Sequence, residues 1–160
     1  MRKIFSILIA SMVLAALIPA TSASSATCWS YSAKDRSFAK KINNARERRD
    51  RGRLRLDPEL SKVAMKQTKS MIEQNNLFHT RDLGSRVTRW TMLGENVGYG
   101  YTVTSLHKMF MDSAGHKKNI LNSQYKFVGV GAKKAHGWLW VTVVFQATKN
   151  PGTNLYMPKC

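Results

Sequence analysis

Two stretches organise this chain: Gly94-Glu95-Asn96, and Ser113-Ala114-Gly115-His116-Lys117-Lys118-Asn119-Ile120-Leu121. The first places a glycine, a carboxylate and an amide in what we predict to be a loop, and the second places His116 at a predicted helix start. His79 stands on the exit loop of the preceding helical segment. We expect the side chains of His79, Glu95 and His116 to face one cleft, with the remaining chain acting as the scaffold that holds them together.

Helical spacing of apolar residues predicts four helices around these stretches. The first is capped by Ser37 and ends near Arg51. The second begins at Asp57, where a capping carboxylate precedes a proline. The third begins at Thr102 or Thr104, and a short fourth helix follows it. These helices supply the outer layers of the predicted scaffold.

Two strands are predicted in the last third of the chain, over residues 127–132 and 138–146, with a hairpin loop over residues 133–137 between them. The second strand is apolar on both faces, which is typical of a strand covered from both sides. Residues 80–101 are predicted to be irregular. The fold class that follows is α+β, a three-layer α-β-α sandwich in which helices flank a small antiparallel sheet.

The first residues have the pattern of a secretory signal peptide. Arg2 and Lys3 form a basic head, residues 4–20 form an apolar run, and small residues then offer cleavage points near Ala23 or Ala26. A membrane anchor is the alternative, but the run is near the lower length limit for spanning a bilayer. We therefore predict a signal peptide over residues 1–26, a single domain over residues 27–160, no stable membrane insertion after cleavage, and an extracellular or cell-envelope location.

The chain is strongly basic, with 26 Lys and Arg residues against 9 Asp and Glu residues and a formal net charge of +17. Such a charge favours anionic partners, which include wall polymers, acidic lipids and nucleic acid. Nucleic acid is not expected, because the chain is predicted to be secreted and no aromatic-rich strand lies near its basic run to stack bases. Anionic envelope polymers or lipids are the expected partners, and the oligomeric state is left open.

The two cysteines lie at opposite ends of the predicted domain, at Cys28 and Cys160. In an oxidising compartment we expect them to form a disulfide. Closing a loop of this length stabilises a fold by about 5 kcal/mol in the chain-entropy model. A catalytic thiol is not expected, because neither cysteine has a histidine nearby in the sequence.

Several of these segments occur in the order typical of one known family. They are Asn43-Asn44-Ala45-Arg46, Leu56-Asp57-Pro58-Glu59-Leu60, Phe78-His79, Gly94-Glu95-Asn96-Val97-Gly98, Ser113 to Leu121, Val128-Gly129-Val130-Gly131 and Trp140-Val141-Thr142. The chain resembles the CAP superfamily of cysteine-rich secretory, antigen 5 and pathogenesis-related proteins, and most of all its short bacterial secreted members. The resemblance covers about residues 38–146.

The resemblance implies an α-β-α sandwich with a central cavity, which holds two histidines and two acids and in some members a divalent metal. Carried over by motif, the two histidines are His79 and His116 and the first acid is Glu95. The position of the second acid is occupied by Ser113, so that any mechanism needing paired acids is in doubt and a metal site loses one charge. Asp112 is adjacent, but on a helix it points about 100° away from that position.

Two imidazoles and one carboxylate form a three-ligand set for zinc that leaves a fourth position open. Glu95 is alternatively a general base acting on a water molecule. The helix dipole disfavours protonated His116, which keeps its ring available. The plainer interpretation is that the histidines are solvent-facing, that Glu95 is a cap, and that Asn96 and Asn119 satisfy backbone groups.

Two further histidines and two tryptophans are assigned to the scaffold. His107, in mid-helix off the apolar stripe, and His136, in the hairpin loop, are expected on the surface. Trp138 and Trp140 are expected to pack in the core rather than to form a platform for sugars.

Three functions follow. The first is a secreted binding module whose His- and Glu-lined cleft holds an anionic or amphipathic ligand, such as an envelope lipid, a sterol-like molecule or a wall polymer, with or without a divalent transition metal such as zinc. The second is a metal-assisted hydrolase with His79 and His116 as ligands and Glu95 as base. The third is a structural or protein-interaction domain that uses exposed Trp29 and Tyr31, or a patch around Tyr99 and Tyr101, instead of the histidines. Whether the protein is an enzyme is left open.

Overall fold

The structure is a computed structural model that describes residues 29–156. The predicted signal peptide over residues 1–26 lies outside the described residues, as do the predicted disulfide partners Cys28 and Cys160. Over residues 29–156, none of the helices has the length and apolar character needed to cross a membrane.

The described chain contains five helices and six strands. The helices are α1 (Ala33–Glu47), α2 (Pro58–Glu73), α3 (Leu83–Arg86), α4 (Val103–Asp112) and α5 (Ala114–Leu121). The strands are β1 (Arg55–Leu56), β2 (Val87–Thr88), β3 (Met92–Gly100), β4 (Phe127–Ala135), β5 (Trp138–Ala147) and β6 (Gly152–Thr153).

The central sheet has the strand order β1-β4-β5-β3. Strands β4 and β5 pair antiparallel, as predicted, and β3, which was not predicted, pairs antiparallel with β5. Strand β1 pairs parallel to β4 with Arg55 opposite Phe127, so the sheet is mixed. The segment around β1 was predicted to be only an extended link. A separate two-stranded antiparallel sheet joins β2 to β6.

Helices cover both faces of the central sheet, and the predicted α-β-α sandwich is confirmed. One face packs on α1, α4 and α5 through a core that includes Phe38, Phe110 and Ile120. The other face packs on α2 through smaller clusters around Leu60 and Met71. Strand β5 is buried along nearly all of its length because side chains from both faces enter these clusters, as its apolar pattern predicted.

The prediction that residues 80–101 are irregular was wrong, because β3 pairs with β5 over nine residues. Its glycines suggested a loop, since glycine weakens a strand interior. Here they make room for close packing: a Cβ atom on Gly98 would lie 2.7 Å from Cε1 of Phe110, and one on Gly94 would collide with the hydroxyl of Tyr125. Glu95 therefore stands on an edge strand rather than in a loop.

The helix starts are set by caps. Asp57 caps α2 and Thr102 caps α4, both as predicted. Helix α1 begins at Ala33, earlier than predicted, because Ser32 rather than Ser37 forms a capping box with Asp35. That box lies one turn before the first apolar residue of the stripe. The other carboxylate oxygen of Asp35 accepts a hydrogen bond from the backbone of β4, which fixes the helix on the sheet.

Candidate functional site

The carboxylate of Glu95 is buried and takes part in three hydrogen bonds. Its Oε1 atom lies 2.8 Å from Nδ1 of His79 and accepts from the backbone N–H of Thr80 at 2.8 Å. Its Oε2 atom accepts from the Thr80 hydroxyl. The Glu95 side chain is 6% exposed, so these bonds provide the partners that a buried carboxylate needs. The predicted proximity of His79 and Glu95 is found in the structure.

The ring of His79 faces outward, with 63% of its side chain exposed. When Nδ1 donates to the carboxylate, Nε2 carries a lone pair. A histidine oriented in this way by a carboxylate is typical of metal ligands and of proton acceptors. His79 therefore presents one oriented, accessible nitrogen at the rim of the site.

His116 lies in the first turn of α5, as predicted, and its ring stacks on Phe110 with centroids 4.6 Å apart. Its Nδ1 atom is buried and has no hydrogen-bond partner among residues 29–156. Burial lowers the pKa of His116, and the nearby His79 lowers it further. The ring is consequently neutral at pH 7, with one nitrogen uncommitted.

The side-chain amides of buried Asn96 and half-buried Asn119 fix α5 on β3 and thereby fix His116. The side chain of Asn119 donates to the backbone carbonyl of Glu95 at 3.1 Å and to Oδ1 of Asn96 at 2.9 Å. The side chain of Asn96 donates to the backbone carbonyl of His116 at 3.0 Å. The interpretation that these asparagines satisfy backbone groups is confirmed, and the same bonds set the position of His116 relative to Glu95.

The two histidines approach the edge strand β3 from opposite sides. Val97 packs with Met71 of α2, and Glu95 lies two positions away and so shares that face. Asn96 points to the other face, where it holds α5. The site therefore straddles the edge strand, with the His79–Glu95 pair on one side and His116 on the other.

Comparison with known proteins now identifies the family. The model of the cysteine-rich secretory protein family, CAP, matches residues 39–145. This chain belongs to the CAP family. The resemblance stated from the motifs is thereby confirmed.

Three proteins illustrate how similar this chain is to known CAP proteins in sequence and in fold. The protein YkwD of Bacillus subtilis (strain 168) is 29% identical over 135 residues, which are 76% of this chain and 52% of that protein, so the chain spans about half the length of this curated relative. An outer surface protein from Borrelia burgdorferi has a TM-score of 0.65 at 18% identity, over 71% of this chain and 92% of that one. An extracellular protein containing an SCP domain from Bacillus anthracis has a TM-score of 0.62 at 22% identity, over 72% and 40% of the two chains. At these identities, the likeness to the solved structures shows the fold.

Of the four CAP positions, three carry the expected side chains and one does not. Ser113 occupies the second acid position, where it precedes α5 without making a side-chain cap. Asp112 pairs with Lys108 at 2.6 Å on the exposed face of α4, in agreement with its expected direction away from the site. Over residues 29–156, no group of three or more His, Cys, Asp and Glu side chains is arranged to hold a metal ion. Zinc binding by His79, Glu95 and His116 stays a prediction.

Two hollows adjoin this CAP site. An apolar cleft of about 360 Å³ runs along β3, and its lining includes Leu77, Val97, Leu106, Met109, Phe110, Ser113 and His116. A polar hollow of about 320 Å³ lies beside His79, and its lining includes Gln67, Ser70, Arg81 and Arg86. His116 lines the first hollow and His79 the second, so the single cleft expected for His79, Glu95 and His116 is divided between two hollows, one apolar and one with a basic rim.

Two residues were misjudged or missed from the sequence. His107 was expected on the surface but is buried, because α1 covers that side of α4 and Phe38 lies 6.0 Å from its ring. Burial, with Lys41 and Arg48 adding to it, lowers the pKa of His107 to about 4. Thr80, which binds Glu95 through both its amide and its hydroxyl, was not singled out. Its only sequence signal is its position directly after His79.

Proposed function

We propose that this CAP domain is a secreted binding module that holds an anionic amphipathic ligand, such as a fatty acid or an envelope lipid, in the apolar cleft along β3. The observation that carries the proposal is that the neutral ring of His116 and the hydroxyl of Ser113 belong to the same lining as the apolar side chains of α4. A pocket that combines an apolar wall with a few uncharged hydrogen-bonding groups suits a ligand with an apolar body and a polar head.

The cleft has the lining that an acyl chain or another apolar body requires. Leu106, Met109 and Phe110 come from α4, and Val97 comes from β3. Met109 is 55% exposed, although it belongs to the apolar face of its helix. Pockets that combine an apolar lining with a few fixed polar groups are typical of small-molecule sites.

The charges around the cleft favour an anionic head group. Neutral His116 can donate one N–H to an anionic oxygen, and Ser113 adds a hydroxyl where other CAP members carry an acid. Arg81 and Arg86 line the adjoining hollow beside His79. The carboxylate of Glu95 should repel an anionic ligand only weakly, because it accepts hydrogen bonds from His79 and Thr80.

Metal binding without hydrolysis is the second candidate. It is favoured by the exposed ring of His79, which Glu95 orients, and by the neighbouring ring of His116, and zinc is the probe to use. Hydrolysis with Glu95 as general base is less well supported, because the carboxylate is 6% exposed and already accepts three hydrogen bonds, which leaves little access for the water molecule that a base must reach. Zinc titration of the wild type beside His79→Ala and His116→Ala tests the metal. Equal binding by all three proteins would exclude a site at these histidines.

A fluorescent long-chain fatty acid, added to the purified protein, tests the principal proposal. Met109→Glu places a carboxylate in the apolar cleft and should lower the affinity about tenfold or more, because a charge is costly in an apolar wall. Thr104→Glu is the matched control, since Thr104 is exposed on the same helix and does not line the cleft. It should change the affinity by less than about twofold. Absence of binding by the wild type, or equal effects of the two variants, would contradict the proposal.

We also propose the disulfide between Cys28 and Cys160. Trp29 and Tyr156, the described residues closest to them in sequence, line one groove on α2, which supports proximity of the chain ends. Titration of thiols in denaturant should detect none before reduction. Two reactive thiols in the unreduced secreted protein would contradict this pairing.

A further inference from the structure

Four aromatic side chains form a continuous cluster at one end of β3 and β5. Tyr99 lies opposite Trp140 in the strand register, with ring centroids 4.9 Å apart. Trp138 lies 5.4 Å from Tyr99 and 4.5 Å from Tyr101. The exposure of the rings increases from the core towards the solvent: Trp140 is 3% exposed, Tyr99 is 41% exposed and Tyr101 is 69% exposed.

This arrangement corrects part of the expectation for the tryptophans. Trp140 is a core residue, as expected, and its indole N–H donates to the carbonyl of Ala135. Trp138 is only half-buried: it packs against the small cluster of Met71, Val97 and Trp140 and also contacts the exposed ring of Tyr101. Aromatic surface held open in this way is typical of a binding face, because an unused ring would gain stability by burial.

A separate hollow of about 310 Å³ adjoins these rings. It is lined by Asn75, Asn76, Leu77, Tyr99, Trp138 and Trp140. None of these side chains is charged, in a chain whose formal net charge is +17. The lining therefore favours a neutral ligand over the anions that suit the rest of the surface.

The two asparagines add the polar half of the site. Their backbone N–H groups bond to carbonyls in the last turn of α2, which fixes the turn that follows the helix. Their side-chain amides are exposed and make no hydrogen bond within residues 29–156. Each amide offers two donors and one acceptor, and a fixed backbone lowers the cost of ordering them on a ligand.

We propose that this aromatic hollow binds a neutral carbohydrate, such as an uncharged hexose or N-acetylhexosamine unit of a glycan. The C–H face of a pyranose ring carries partial positive charge and packs against the negative face of an aromatic ring. Its hydroxyl groups need paired donors and acceptors, which the amides of Asn75 and Asn76 and the hydroxyl of Tyr99 supply. A charged polymer would find no counter-charge in the lining.

The aromatic hollow can be tested separately from the proposed fatty-acid cleft, because the two hollows share only part of their lining. Leu77 and Tyr99 line both hollows, whereas Trp138 lines only the aromatic hollow, and Tyr101 contacts Trp138 without lining the cleft. Variants of Trp138 thus test carbohydrate binding without altering the lining of the cleft, and Met109→Glu should leave carbohydrate binding unchanged. Failure of one proposal is distinguishable from failure of the other.

Soluble oligomers of N-acetylglucosamine and of glucose are the probes, with binding followed by tryptophan fluorescence and by calorimetry. Trp138→Ala should lower the affinity about tenfold, because Trp138 lines the hollow, and Trp138→Phe, which keeps an aromatic face, should lower it less than about threefold. Tyr156→Ala is the matched control, because Tyr156 is 79% exposed at a distant site. Binding should persist in high salt, since no ion pair is involved.

Three outcomes would overturn the proposal. They are absence of binding to either neutral oligomer, equal affinities of the Trp138→Ala and Tyr156→Ala variants, and tighter binding of tetramethylammonium than of either sugar. The last outcome would identify the cluster as an aromatic cage for a quaternary cation instead.

Discussion

The hydroxyl of Thr80 offers a direct test of how Glu95 is held. Thr80→Val keeps the shape of the side chain and the backbone N–H, and it removes only the donor to Oε2 of Glu95. Because the Glu95 side chain is 6% exposed, water cannot readily replace that donor. A hydrogen bond to a charged group contributes about 1.5–3 kcal/mol. We expect the lower half of this range, since His79 and the Thr80 amide still bind the carboxylate.

Urea unfolding followed by tryptophan fluorescence measures this loss as a shift of the midpoint at constant slope. Thr104→Val is the matched control, because Thr104 is exposed on α4 and should change the free energy of unfolding by less than about 0.5 kcal/mol. In a Glu95→Gln background the cost of Thr80→Val should fall to about 1 kcal/mol, since the acceptor is then neutral.

An equal cost of Thr80→Val in both backgrounds would show that the hydroxyl does not bind the carboxylate. Equal stabilities of Thr80→Val and Thr104→Val would show the same. Either result would refute the reasoning that Glu95 is committed as an acceptor, and it would return Glu95 to consideration as a general base in hydrolysis.

The remaining predictions concern the scaffold. Folding lowers the pKa of His107 from 6.5 to about 4. As the pH falls below about 6.5, the unfolded chain therefore binds a proton at His107 before the folded chain does. The free energy of unfolding is highest above about pH 6.5 and decreases as the pH falls towards 4. In urea unfolding across this range, His107→Phe should remove about 2–3 kcal/mol of the loss, and His136→Asn, in the exposed turn, should not. Gly98→Ala should destabilise by about 1–3 kcal/mol, because the new Cβ would lie 2.7 Å from Phe110. Gly115→Ala, with no atom within 4 Å of the new Cβ, should be neutral or stabilise by about 0.5–1 kcal/mol, as unfolding curves of both variants will show.

The features predicted well from the sequence are those that depend on local patterns. The start of α2 at Asp57 was predicted correctly, because a capping carboxylate, a proline and an apolar stripe all indicate a helix at that position. Strand β5 was predicted correctly, because a continuous apolar run bounded by turn residues is typical of a strand that is buried on both faces. His116 was placed at a helix start for the same kind of reason, and the structure has it in the first turn of α5.

The features that were missed depend on contacts between distant segments. Strand β3 contains several glycines, which locally indicate a loop, and only the approach of Phe110 and Tyr125 explains them. His107 is buried by α1, whose packing on α4 no pattern within α4 reveals. Thr80 acquires its role because β3 brings Glu95 beside the exit of α2. In each case, contacts between distant segments override the structure that the local sequence pattern indicates.

Ser113 links the chemistry of the cleft to the choice between an anion and a metal. It lines the apolar cleft together with His116, so its replacement of the acid found in other CAP members removes a negative charge beside an uncommitted imidazole. That change favours an anionic head group and disfavours a cation. Ser113→Glu should therefore lower the affinity for the fatty acid about tenfold and raise the affinity for zinc, whereas Thr104→Glu, with the same added charge on α4, should do neither. Calorimetric titration of both variants with each probe measures the two effects. If Ser113→Glu strengthens fatty-acid binding, or leaves both affinities unchanged, then the charge at this position does not select the ligand, and the apolar wall alone must account for any binding in the cleft.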